Sequence, residues 1–230
     1  MYEERTSVID GAIAWQAVHD GPVRVLPDGC MDLLWMDGRV VVAGPDEVAH
    51  VHAATAGERV LGLRFRPGVL PALLGVPADQ LIGLRVALDD VVDPTRWHPV
   101  LTPDADPLDD PDPTSAFEAL LAPTLSAIDR SEPLARHWDH LTRELVRGAT
   151  VVDLADSLGY SERQLSRRCR QHIGYGPARL RRVLRLQRAL SLQRDGMDTT
   201  AAAASAGYVD ASHLHRDARA LAGAPLSALV

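Results

Sequence analysis

The sequence predicts an α+β protein, with a small antiparallel β-barrel at the amino end followed by an all-helical domain. Three observations carry that expectation. Residues 151–225 contain one helical pattern twice, each copy turning at a Gly-Tyr pair. Residues 23–66 break into short β-rich runs separated by Gly and Pro turns, with no long helix between them. Charge divides the chain in the same way. Residues 133–230 hold 15 Arg against 9 Asp and Glu, a balance of +6, while residues 1–132 hold 9 against 22, a balance of −13; together these give −7. A basic half joined to an acidic one suggests that one part contacts nucleic acid and the other does not.

In chain order, residues 7–18 read as a first strand. Residues 23–26 and 30–35 follow, joined by the turn Pro27-Asp28-Gly29. Asp37-Gly38 between two β-rich runs is a two-residue hairpin signal, so residues 39–43 should return antiparallel. Residues 48–53 and 59–66 read as two more strands, the latter alternating Leu61, Leu63 and Phe65 with Gly62, Arg64 and Arg66. Short helices are expected at 71–74 and 77–84. Residues 98–113 carry five Pro and five Asp with almost no apolar content, which reads as an exposed linker. A short helix is expected at 116–128, giving an acidic, Pro-rich connecting segment over 98–132. A helix at 134–146 then aligns Trp138, Leu141 and Leu145 on one face.

The doubled pattern is the most specific signal. The first copy is VVDLADSLGYSERQLSRRCRQHIGYGP and the second is TTAAAASAGYVDASHLHRDARALAGAP. In each, a small-residue helix ends at Gly159-Tyr160 or Gly207-Tyr208, and glycine supplies the left-handed conformation that reverses the chain. Ser161 and Asp210 stand where the next helix needs its N-cap. Helix, Gly turn, helix is the sequence form of a helix-turn-helix. A helix over residues 177–194 joins the copies, with Leu180, Leu184 and Leu190 as its apolar seam.

Residues 133–230 resemble the DNA-binding domain of the AraC-type transcriptional regulators. The resemblance rests on LADSLGYS with Arg167, the connecting helix, and AAAASAGYVDASHLHRDARALAGAPL. It departs at Cys169 and Ala218, where the family usually carries an aromatic, so core packing must differ there. The runs LPDGCMDLLW and GLRFRPG make residues 1–97 resemble the cupin-like sensor or dimerisation domains that precede this module in an actinobacterial group. The resemblance implies a regulator of transcription, activator or repressor, that binds double-stranded DNA. It further implies a small-molecule effector at the amino-terminal domain, a homodimer formed through the helix near 116–128, and RNA polymerase as a partner if the protein activates.

Base reading needs side chains on the exposed face of each second helix. In the first unit Arg163, Ser166, Arg167 and Arg170 lie at i, i+3, i+4 and i+7, with Leu165 and Cys169 inward. The resemblance assigns base reading to Arg163, Ser166 and Arg167, beside Ser161 and Gln164 at the helix start. Arg168 and Arg170 suit phosphate, and Arg182 on the connecting helix is a further DNA-binding candidate. The second unit offers Ala211, Ser212, His215, Arg216 and Arg219, a less basic face from which weaker readout is expected. Cys30, Trp35, His50, His52, Arg64 and Arg66 are the candidates for effector binding.

Other classes are less well supported. His50 and His52 share a strand face and Glu58 follows six residues on, a loose echo of a cupin metal motif without a partner motif, so neither metal nor cofactor is expected and no residue is assigned to catalysis. An alkylation- or redox-responsive regulator would need more than Cys30 and Cys169. Cys30 itself follows Asp28 and precedes Asp32, which should raise its pKa, so a structural role is expected. The absence of a long apolar run or a signal-like amino terminus leads to the expectation of a cytoplasmic protein without a membrane segment. All 24 basic residues are Arg, which we read as codon bias.

Overall fold

Alternating residues along each strand give the sheet two unlike faces. The structure, a computed structural model, describes residues 1–128 and 134–230; the boundary expected between 132 and 133 lies outside the described residues. The strands are β1 (Tyr2–Thr6), β2 (Ala12–His19), β3 (Val23–Val25), β4 (Met31–Met36), β5 (Arg39–Ala43), β6 (His50–His52), β7 (Glu58–Phe65) and β8 (Arg85–Ala87). Six form an antiparallel sheet in the order β1-β2-β7-β4-β5-β8, and β3 pairs separately with β6. The α+β class holds, but the sheet stays open, with β1 and β8 at opposite edges instead of closing a barrel.

On one face Leu33 and Trp35 of β4 join Leu61, Leu63 and Phe65 of β7 in a buried core. Three helices cover it: α1 (Val69–Leu74), α2 (Pro94–Leu101) and α3 (Pro113–Ala127), which contribute Leu70, Trp97, Phe117, Leu121 and Leu125. The other face carries Trp15, Asp32, Leu34, Val60 and Arg64 and looks onto a cavity.

Several expected elements differ. The strand expected at 7–18 is β2 and begins only at Ala12, because the chain reverses at Gly11 (φ +79°) to pair it with β1, a strand at Tyr2–Thr6 that was not expected. The helix expected at 77–84 is a single 3-10 turn at Ala78–Gln80, and β8 follows it. The linker expected over 98–113 is largely exposed but ordered, as the end of α2 and a 3-10 turn that bury Val100, Pro107 and Pro113, and the helix expected at 116–128 is α3. Three Asp-Pro pairs in it and just before it are helix starts. Asp93, Asp106 and Asp112 accept backbone N–H groups of Thr95 (2.9 Å), Leu108 (2.8 Å) and Ser115 (3.2 Å), with Pro94, Pro107 and Pro113 next in line. Phe117, Leu121 and Leu125, spaced by one helical turn, then bury against the sheet.

The carboxy-terminal half is helical: α4 (Leu134–Arg147), α5 (Val151–Ser157), α6 (Glu162–Ile173), α7 (Pro177–Arg194), α8 (Thr199–Ser205) and α9 (Ala211–Ala222). It has its own core, drawn from Trp138 to Leu226, which packs around α7. Since α7 lies between both units and α4, burial spreads round it to Leu180, Val183, Leu186, Ala189 and Leu190, while Leu184 of the expected seam is only half-buried. No helix among the described residues is long and apolar enough to cross a membrane.

Candidate nucleic-acid interface

The start of α6 is fixed by a reciprocal cap. Ser161 Oγ accepts the Gln164 N–H at 3.2 Å, and Gln164 Oε1 accepts the Ser161 N–H at 2.8 Å. Two residues expected to meet DNA are therefore engaged in shaping the helix end. Gly174 ends α6 in the left-handed conformation (φ +95°). Between these ends Leu165, Cys169 and Ile173 are buried, Arg163, Arg167 and Arg170 are exposed, and Ser166 is half-buried. The four expected positions thus share one face. Arg168 turns aside, its guanidinium 4.8 Å from the centre of the Tyr160 ring.

The second unit repeats the construction. Asp198 caps α8, Gly207 takes φ +83°, and Asp210 accepts the His213 N–H at 2.6 Å to start α9. Ser212, His215, Arg216 and Arg219 are exposed along α9 and Ala211 is half-buried. Leu214, Ala218, Leu221 and Ala222 face inward. Arg182, expected to meet DNA, instead ion-pairs with the buried Asp217 at 2.8 Å. Asp217 lies on α9, 35 residues away, so nothing local in the sequence announced this partner.

The acidic half sits against both units. Arg179 donates to the Glu47 carbonyl at 3.1 Å, the Ala49 N–H to Leu221 O at 2.6 Å, and Arg24 to Ala222 O at 2.8 Å. Arg66 bonds Asp139 of α4, and Gln187 of α7 donates to Pro27 O at 2.7 Å. Beside the exposed face of α6, a cleft of about 750 Å3 has Arg163, Ser166 and Arg170 on one wall and Glu47, Asp79 and Ile82 on the other.

A second cavity, of about 720 Å3, lies between the outer sheet face and the helical half, from which Gln187, Arg194 and Leu229 reach it. Of the effector candidates it gathers His50, His52 and Arg64. Trp35 lies on the opposite face, in the core, donating to Asp106 at 2.8 Å. Arg66 is at the junction of the halves, beside Asp139 and Asp10. Cys30 is half-buried. Burial first, then the Asp28 and Asp32 carboxylates, push its pKa well above the ordinary value, with Arg64 opposing, so it stays protonated near neutral pH. His52 is 2.6 Å from Glu58 Oε1, which pairs two of the three groups in the metal echo with each other.

Sequence reasoning missed Trp15 and Asp32 in this cavity. The Trp15 ring covers Gly62 on the neighbouring strand, where a Cβ would come within 2.1 Å of it, and its N–H donates to Asp32 at 2.8 Å. Burial raises the Asp32 carboxyl to about 6, with Arg64 and the Trp15 hydrogen bond holding it lower than burial alone would. Trp15 and Gly62 are 47 residues apart in sequence, so only the register reveals their pairing.

Comparison with known families places a helix-turn-helix domain at residues 154–230 and a domain of unknown function, DUF6597, at residues 11–87. Among solved structures, a probable AraC family transcriptional regulator from Rhodopseudomonas palustris is 30% identical, over 40% of this chain and 87% of that one, with a TM-score of 0.35. ToxT from Vibrio cholerae, bound to (E)-4-(8-methylnaphthalen-1-yl)but-3-enoic acid, is 10% identical over 100% of this chain and 99% of that one, with a TM-score of 0.50, a likeness of fold alone. A search of curated proteins found no match. At 30% identity over 87% of that regulator, and with the helix-turn-helix match at residues 154–230, the chain belongs to the AraC-type transcriptional regulators, which bind DNA.

Proposed function

We propose that the protein reads two successive major grooves with α6 and α9, and that its amino-terminal half controls access to them through a small effector. The observation that carries this reading is the position of the acidic half. Glu47 and Asp79 face the polar side of α6 across the cleft. A cleft of about 750 Å3 has no room for the phosphate walls of a groove about 12 Å wide. DNA binding then requires the halves to separate. The α7 helix has 18 residues, roughly 27 Å at about 1.5 Å per residue, a little under one DNA turn. The base-reading set is Arg163, Ser166 and Arg167 with Ser212, His215 and Arg216, and Arg170 and Arg219 suit phosphate. The cavity holding His50, His52 and Arg64 is the effector site, and because both halves line it, occupancy bears on their separation.

The experiment compares three chains. A fragment of residues 130–230, which carries a complete core of its own, binds duplex DNA with affinity that falls steeply with salt and at least about tenfold more tightly than the full chain. Residues 1–128, which include α3 because that helix completes the first core, do not bind. Binding by residues 1–128, or a folded 130–230 fragment that ignores DNA, contradicts the reading.

A further inference from the structure

We infer that Asp217 is a positioning residue that locks the second recognition helix onto the connecting helix, and so sets the half-site spacing the protein accepts. The inference rests on the two-groove reading above. Counted from their caps, Ser161 and Asp210, the two recognition helices carry Arg168 and Asp217 at the same place, so the units differ here by a reversal of charge. Arg168 remains in its own unit, over Tyr160. Asp217 points into the protein, its side chain 6% exposed. Its Oδ1 accepts Arg182 Nη2 at 2.8 Å and Nε at 3.2 Å, and its Oδ2 lies 3.5 Å from Arg185 Nη2. Arg185 completes the set, its guanidinium 4.6 Å from the centre of the Tyr208 ring. Thus the tyrosine after the turn receives its guanidinium from the recognition helix in the first unit, and from α7 in the second.

The reason lies in what else holds the second unit. Beside Leu214 and Leu221 its inner surface is methyl groups: Ala202, Ala203 and Ala206 around α8, and Ala218 and Ala222 on α9. The corresponding surface of the first unit has Leu154, Cys169 and Ile173. Contact between small apolar faces is non-directional and leaves a helix free to slide or rotate. A carboxylate held by two guanidiniums one turn apart on α7 fixes both azimuth and height. It also keeps Arg182 off the phosphates.

The test uses the full chain and a duplex selected by it from a random-sequence pool. A second duplex has one base pair inserted between the half-sites, which moves the far half-site by about 3.4 Å and turns it by about 35°. The wild type loses at least about 30-fold in affinity on insertion. Asp217→Asn binds the two duplexes within about threefold of each other, while its affinity for a duplex carrying only the first unit's half-site stays at the wild-type level. The variant Asp217→Leu with Arg182→Met replaces the closer ion pair with apolar groups and leaves Arg185 on the Tyr208 ring and the Gly207 carbonyl, which guards against unfolding. It too accepts both spacings. If either folded variant keeps the full 30-fold discrimination, packing alone sets the spacing and the inference falls. A wild type indifferent to the insertion overturns instead the two-groove reading on which it rests.

Discussion

Replacing Arg167 by Ala weakens binding to the selected site by about 1–3 kcal/mol, roughly 5- to 150-fold, and relaxes base preference at one or two adjacent pairs. The size follows from a guanidinium that reaches a base edge with two hydrogen bonds. Arg167 is exposed on α6 beside Arg163 and Ser166, so its loss leaves the fold untouched and thermal stability within about 0.5 kcal/mol. Arg168→Ala behaves differently. That side chain lies over Tyr160 and reaches no base edge, so its removal takes away only a positive charge near the DNA, weakening all sequences alike and lowering the salt dependence. Equilibrium binding to specific and scrambled duplexes separates the two. Equal losses on both duplexes for Arg167→Ala would remove it from base reading.

A large loss of stability is expected from Gly68→Ala, at the junction of the halves. Gly68 has φ +82°, and a Cβ there would stand 2.2 Å from Cδ1 of Trp138, the buried tryptophan of α4. Left-handed backbone costs an L-residue about 1–2 kcal/mol and overpacking a further 1–3. The melting temperature should fall by about 5–15 °C on that basis. Gly57→Ala is the control, because its φ of +83° is alike but nothing lies within 4 Å of the added atom. It incurs the backbone cost alone. Equal shifts for the two variants would mean that α4 does not press on Gly68.

The DNA-binding half was legible in the sequence because its signals are local. Gly159, Ser161 and Gly174 each act within one helical turn of themselves, and a second copy repeats them at Gly207, Asp210 and Gly223. The acidic segment misled for a physical reason. Asp and Pro together signal disorder by composition, yet Asp followed by Pro is also a cap and a first helical residue, as at Asp112-Pro113. The spacing of Phe117, Leu121 and Leu125 was available as the deciding signal. Trp35 was misassigned because β4, past Asp32, is apolar on both faces. Leu34 and Met36 line the cavity as Leu33 and Trp35 line the core, so alternation in polarity could not say which side was which. Arg182 with Asp217, and Trp15 with Gly62, depend on contacts between elements far apart in sequence, which no pattern along the chain reports.

The measurement that bears most directly on the account is a hydroxyl-radical footprint of the 130–230 fragment on DNA selected from a random pool. Two protected tracts about one helical turn, 10–10.5 base pairs, apart on the same face of the duplex are predicted, the one bound by α6 protected more strongly than the one bound by α9. A single tract, or even protection that ignores sequence, would contradict a protein that reads two grooves with two helices.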